Sequence, residues 1–173
     1  MSDRVESRAG VEVGAASLHD LDGINEIYNH YVRSTHITFD LAPITCDERR
    51  EWFTHYGSTG RHRLVVARRD GGVLGYASSS RLRPRQAYDT SVETSVYLSP
   101  FETGRGIGSG LYEALFLALR GEDVHRAYAG IALPNDASIA LHERFGFHRA
   151  ALYSEQGRKF GRYWDVAWYE KRL

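Results

Sequence analysis

Residues 92 to 111 read Val-Glu-Thr-Ser-Val-Tyr-Leu-Ser-Pro-Phe-Glu-Thr-Gly-Arg-Gly-Ile-Gly-Ser-Gly-Leu. The first seven alternate, with Val92, Thr94, Val96 and Leu98 on one strand face and Glu93, Ser95 and Tyr97 on the other. Ser99-Pro100 makes a turn, and glycine then recurs at Gly104, Gly106, Gly108 and Gly110. An apolar helical pattern starts at Ile107. The stretch is therefore strand, glycine loop, helix. A helix start leaves backbone N–H groups unpaired and its dipole favours negative charge, so such a loop suits phosphate. A plain turn does not need so many glycines, since each loses conformational entropy on folding. Glu93, just upstream, is a candidate base, and a phosphate cradle beside a base suggests a transferase.

Working outward, Val73 to Ser80 and Leu64 to Ala67 read as paired strands joined at Asp70-Gly71-Gly72, a strong hairpin signal. A polar connection, Arg81 to Asp89, is interrupted by Pro84. Further upstream, Val11 to Ala16 reads as a strand, and Ser17 with Asp20 fits a capping box. The helix that follows carries Leu21, Ile24, Ile27, Tyr28, Tyr31 and Val32 on one stripe, with Asn29 and His30 off it. Thr45 or Asp47 can cap a second helix running through Trp52, Phe53 and Tyr56. Downstream, the helix from Ile107 buries Leu111, Ala114, Leu115, Ala118 and Leu119, and Ala127 to Leu133 is a strand stopped by Pro134. Asn135 can cap a fourth helix that closes at Gly146. Phe147 to Ser154 and Tyr163 to Leu173 read as two last strands, with Glu155 to Arg162 as their loop. Hairpins at both ends argue for one mixed-sheet α/β domain over 11–173 with about four helices, preceded by a flexible tail at 1–10.

The chain has 173 residues and a formal net charge of zero, so nothing global steers it toward nucleic acid or a membrane. No apolar run is long enough to span a bilayer. Cys46 is the single cysteine, which rules out an internal disulfide and fits a reducing, cytoplasmic setting. The eight histidines show no metal-ligand spacing, and no metal is expected.

The glycine loop fails two common patterns. A dinucleotide fingerprint starting at Gly104 would need glycine at Ser109, and one starting at Gly106 would need it at Leu111. A P-loop needs a lysine that is absent here. The surviving pattern is an Arg/Gln-x-x-Gly-x-Gly/Ala loop. With Ile27-Tyr-Asn-His-Tyr31, Ala87-Tyr-Asp89, Val92-Glu-Thr-Ser-Val-Tyr97, Leu133-Pro-Asn-Asp136, Leu141-His-Glu143 and Gly161-Arg-Tyr-Trp-Asp-Val166, it resembles the GNAT superfamily of N-acetyltransferases. The likeness runs from about Val11 to the C-terminus and is greatest to the phosphinothricin and methionine-sulfoximine acetyltransferase branch. Two registers fit the loop. Arg105-x-x-Gly108-x-Gly110 fits literally, whereas Thr103-x-x-Gly106-x-Gly108 also places Ile107 and Leu111 where the family has aliphatic residues. The second is preferred, with Thr103 standing where the family usually has Gln or Arg.

The resemblance implies acetyl-CoA as cosubstrate, with its pyrophosphate on Thr103, Gly104, Arg105, Gly106, Ile107, Gly108 and Ser109. It implies a splayed strand at Val96, Tyr97 and Leu98 that pairs with the pantetheine arm, and contacts from Asn135 and Ser138. Asn135 is equally readable as a plain helix cap. Glu93 would be the base that deprotonates the incoming ammonium. His142 occupies the position from which the family reprotonates the departing thiolate, and reads equally well as a hydrogen-bonded core histidine. Tyr31, Phe39, Arg83, Arg85 and Tyr88 are the expected acceptor-binding residues, the arginines for carboxylate or phosphinate oxygens. The expected reaction is direct acetyl transfer, in a ternary complex, to the amine of a small amino-acid-like acceptor. Acetylation of polyamines or protein N-termini and a non-catalytic acyl-CoA-binding module are the alternatives. A homodimer is expected from the resemblance, and the aromatic final strand offers surface for one or a place in the core.

Overall fold

The strands, in chain order, are β1 (Glu12–Ala15), β2 (Arg63–Arg69), β3 (Gly72–Arg81), β4 (Ser91–Leu98), β5 (Arg126–Ala132), β6 (His148–Lys159) and β7 (Arg162–Arg172). The α-helices are α1 (Leu21–Ser34), α2 (Cys46–Phe53), α3 (Ile107–Ala118) and α4 (Asp136–Arg144). The structure, a computed structural model, describes residues 10–173, so the expected tail lies outside the described residues except for Gly10. All seven strands join one sheet in the order β1-β2-β3-β4-β5-β7-β6. Every neighbouring pair is antiparallel except β4 and β5.

That one parallel pair is short. It links Ser91 to Arg126, Val92 to Ala127 and Glu93 to Tyr128, and then stops. From Thr94 onward β4 pairs, among the described residues, only with β3. The sheet is thus split along its middle, and the split positions the site.

Both faces of the first half-sheet are covered, because β2 is apolar on both. Val65 and Ala67 pack with Ala77, Val92, Leu111, Tyr112 and Leu115 beneath α3. Leu64, Val66 and Tyr76 pack with Leu21, Ile24 and Ile27 of α1. The Asp70-Gly71 turn has both residues at positive φ, as a two-residue hairpin requires.

The caps expected at Thr45 and Asn135 are present, whereas Ser17 leads into a single 3-10 turn, Leu18–Asp20, ahead of α1, and its hydroxyl donates to Asp20. Asp20 accepts from the Ser17 amide and hydroxyl at 2.7 and 2.8 Å, and Thr45 pairs reciprocally with Glu48. Asn135 accepts from the Ser138 amide at 3.2 Å.

Three further details depart from expectation. The second helix ends at Phe53, after which tight i→i+3 turns carry the chain through Tyr56. Asn29, off the apolar stripe, is nevertheless buried, since its amide group exchanges two hydrogen bonds with the Ile44 backbone. Glu155 to Arg162 is not a loop. β6 runs to Lys159, with a bulge between Tyr153 and Gly157, and turns only at Phe160-Gly161. The polar composition hid a strand whose side-chain anchor is Lys159, buried with its ammonium donating to the Thr38 carbonyl at 2.7 Å.

Candidate active site

The split between β4 and β5 opens into a cleft of about 660 Å³. One wall is Thr94 to Leu98 of β4 and the other is Ala129 to Ala132 of β5. The glycine loop closes one end, and the start of α4 lies alongside. Val96, Tyr97 and Leu98 all line the cleft, on the stretch of β4 that lacks a β5 partner. Asn135 and Ser138 line it too, while also forming the α4 cap.

The loop residues divide. Thr103, Gly104, Gly106, Gly108 and Ser109 face the cleft. Arg105 does not line it, pairing instead with Glu102 at 3.3 Å on the surface. The Ile107 side chain turns into the core, and this residue does not line the cleft. Gly106 has φ of 80° as the residue preceding α3, a conformation L side chains rarely adopt. Gly108 is buried, and a β-carbon there would meet the Leu141 methyl at 3.2 Å. The first intrahelical bond here runs from the Gly110 amide to the Gly106 carbonyl, so the amides before it are free to receive an anion.

Glu93 is the last β4 residue on the β5 ladder, paired in register with Tyr128 of β5 and Ser80 of β3, and it is not among the residues that line the cleft. Burial raises its carboxyl above the ordinary range, with Arg83's positive charge acting in the opposite direction. Raising a carboxyl toward neutrality makes its anion a stronger base.

His142 is 3% exposed at the cleft wall. Its Nδ1 donates to the Ser138 carbonyl at 2.7 Å, and its Nε2 accepts from the Tyr112 hydroxyl at 2.7 Å. Burial lowers its pKa, against the Ser138 hydrogen bond, and so favours the neutral ring. In this tautomer both nitrogens are occupied, the arrangement of a satisfied core histidine. Tyr112, fully buried on α3, escaped the sequence reading. The available signal was a hydroxyl beside Leu111 on the buried stripe, where it needs a partner.

The expected acceptor residues are dispersed. Tyr31 lies in the β4–β5 cleft and donates to the Leu98 carbonyl at 2.7 Å. Arg83, Arg85 and Tyr88 line a separate cavity of about 610 Å³ with Tyr128, Tyr153 and Trp168. Phe39 lines none of these cavities, and its ring packs on Gly157 of β6. A third cavity, about 260 Å³, lies under α1 and α2 and shares Ser95 and Tyr97 with the cleft. It is lined by Arg49, which the sequence reading also missed. Helical spacing put this cation on the same face as Trp52 and Phe53, where a charge is out of place. Among the described residues no group of three or more His, Cys, Asp or Glu could hold a metal ion. No helix there is long and apolar enough to cross a membrane.

A split sheet, a glycine-rich anion cradle and a half-buried carboxylate at the split together define an acyl-transferring enzyme of the acyl-CoA type. Comparison with known proteins gives the family. Residues 13–168 match the model of the acetyltransferase (GNAT) domain, and the chain belongs to that family. It is 56% identical to a phosphinothricin N-acetyltransferase of Streptomyces coelicolor over 98% of this chain and 96% of that protein. It is 36% identical to an L-methionine sulfoximine/L-methionine sulfone acetyltransferase of Pseudomonas aeruginosa, covering 91% and 92% of the two chains. Among solved structures, a GNAT superfamily phosphinothricin acetyltransferase from Sinorhizobium meliloti in complex with acetyl-CoA superposes with a TM-score of 0.87. That pair is 34% identical, over 95% of this chain and 89% of the other.

Proposed function

We propose that this acetyltransferase moves the acetyl group of acetyl-CoA onto the amino group of a small amino-acid-like acceptor, such as phosphinothricin or methionine sulfoximine. The observation that carries the reading is the split between β4 and β5, with an anion cradle at one end and Glu93 at the last pair of the β4–β5 ladder. The cleft suits the cosubstrate, with free amides at the start of α3 for pyrophosphate and unpaired β4 backbone for the amide-bearing arm. Acetyl-CoA supplies the activated thioester.

The protein's own groups do the rest. Glu93 takes a proton from the ammonium of the acceptor, directly or through water. The freed amine forms a bond to the acetyl carbon while an unpaired β4 amide steadies the oxygen that gains charge. The carbon–sulfur bond then breaks, and the thiolate takes up the second proton, which the nitrogen sheds as the amide forms. Arg83 and Arg85 supply the positive charge that favours an anionic acceptor over a polyamine. Tyr88 and Tyr128 wall the same cavity. The protein acts as a cytoplasmic homodimer. Exposed Leu152, Tyr153, Phe160 and Tyr163 on the sheet-edge hairpin support the dimer, and the exposed thiol of Cys46 suits a reducing compartment.

A screen of amine acceptors with a free-thiol readout tests the reading. Turnover of phosphinothricin or methionine sulfoximine well above that of spermidine and an N-terminal peptide is the expected result. Acetyl-CoA binding with no turnover on any acceptor would instead indicate a binding module.

A further inference from the structure

Arg49 is a buried cation with unused hydrogen-bonding capacity. It is 4% exposed, on the inward face of α2. Its guanidinium carbon lies 4.8 Å from the Tyr28 ring centre and 4.5 Å from that of Trp52. Its Nε donates to Asn25 at 3.1 Å, while its Nη2 has no hydrogen-bond partner among the described residues. A buried polar group without a partner is destabilising, and a charged one more so. Such a group takes its partner from an ordered water, an ion or a bound ligand.

Arg49 lines the 260 Å³ cavity that also presents Ser78, Ser80 and Ser95. Two carboxylates reach the lining, but both are engaged elsewhere. Asp40 accepts from Tyr28, and Glu48 accepts from the Thr45 amide and hydroxyl. Burial pushes the Tyr56 and Tyr97 phenols up to about 12, so both remain protonated and able to donate at neutral pH. Serine hydroxyls, protonated phenols and a guanidinium with a free N–H make a lining that suits an oxyanion. The cavity meets the β4–β5 cleft at Ser95 and Tyr97, and Ser80 on its wall is the register partner of Glu93. It is therefore next to the place where the amine would be activated.

We propose that the Arg49 cavity is a second oxyanion subsite of the acceptor, separate from the Arg83–Arg85 cavity, and that the free Arg49 N–H binds an anionic group of the acceptor molecule. The inference rests on the acetyl-transfer reading above. An acceptor carrying two separated anionic groups, as phosphinothricin does with its carboxylate and phosphinate, would use both arginine sites while its amine faces Glu93.

The test compares wild type, Arg49→Met and Arg49→Lys, using phosphinothricin and its α-carboxamide as acceptors. Arg49→Met keeps the aliphatic stem against Trp52 and removes the charge. It should raise the KM for phosphinothricin on the order of 30-fold, with the KM for acetyl-CoA unchanged. If the penalty vanishes on the carboxamide, the bound group is the α-carboxylate. If it persists, the bound group is the phosphinate. An acceptor KM unchanged in both variants, or a loss matched by an equal loss of acetyl-CoA affinity, overturns the subsite. Should Arg49→Met fail to fold, Arg49→Lys decides alone. It keeps the charge without the planar fork, so a severalfold rise in acceptor KM supports the subsite and an unchanged one refutes it. Should wild type acetylate neither compound, the functional reading fails, and calorimetry of phosphinothricin with CoA-saturated protein judges the subsite separately. Binding weakened in the Arg49 variants sustains it. Binding that is absent, or indifferent to Arg49, does not.

Discussion

At the scale of single residues, the chemistry turns on how the surroundings set two protons. Glu93 is raised by burial and held back by Arg83. A base must be ionised to work, so activity is lost as pH falls through the folded pKa of Glu93. Arg83→Gln removes the restraining cation and should move the acidic limb of the kcat/KM profile to higher pH, whereas added salt should move it less in the variant than in wild type. Glu93→Gln should lower kcat on the order of 100-fold or more with little change in acetyl-CoA binding. An unaltered kcat would remove Glu93 from the mechanism. His142 is the opposite case. Its two nitrogens are bound to Tyr112 and Ser138. Tyr112→Phe leaves the His142 Nε2 unpartnered in the core and should lower stability by about 1–3 kcal/mol in denaturant titrations. The side of β4 that Glu93 occupies was legible, because it follows from simple alternation. Arg49 and Tyr112 were not, since a cation or hydroxyl on an apolar stripe takes its meaning from partners far along the chain.

At the scale of elements, the glycine loop and the strand before it were readable, and the β6–β7 hairpin was misjudged. The loop follows from local rules, namely free amides, positive φ and close approach. Gly108 lies between the cleft and Leu141. Gly108→Val would push Leu141 aside and crowd the end of the cleft that we propose holds the pyrophosphate. We expect acetyl-CoA affinity by calorimetry to fall at least about tenfold, roughly 1.4 kcal/mol, with the acceptor site intact. Full affinity would place the cradle elsewhere. The length of β6 depends on non-local contacts. Gly157 gives its face to the Phe39 ring, and Lys159 reaches the Thr38 carbonyl. Both partners lie more than a hundred residues upstream in the loop after α1, and no local pattern announces them. The same contacts explain why Phe39 belongs to the packing of that loop on β6.

At the scale of the molecule, mixed-sheet architecture was legible from its hairpins and helix caps, but the long-range ion pair that ties β2 to the start of α1 was not. Arg68 donates two hydrogen bonds at 2.6 Å to Asp20, which is 5% exposed. Burial pushes the Asp20 carboxyl up, but the hydrogen bonds from Arg68 and Ser17 outweigh it and hold the pKa below the ordinary aspartate value. Its stabilisation is therefore complete above the unfolded-state value, near 3.9, and is lost as pH falls through the lower, folded value. Asp20→Asn should cost about 3 kcal/mol at pH 7 and flatten the acid limb of the stability profile. A variant as acid-sensitive as wild type would assign that limb to other carboxylates.

The short ladder between β4 and β5 has one more consequence. Three residue pairs stitch β1–β4 to β5–β7 within the sheet. A bound thioester arm lying in the split would act as a splint, bridging the two halves where backbone pairing ends. Amide exchange should show this directly. Without ligand, the amides of Val96 to Leu98 that face the gap should exchange fast, and the two halves should open as separate cooperative units. With saturating acetyl-CoA those amides should slow, and the halves should open together, with the melting temperature rising as ligand concentration rises. In that view the cosubstrate is, while bound, an eighth strand.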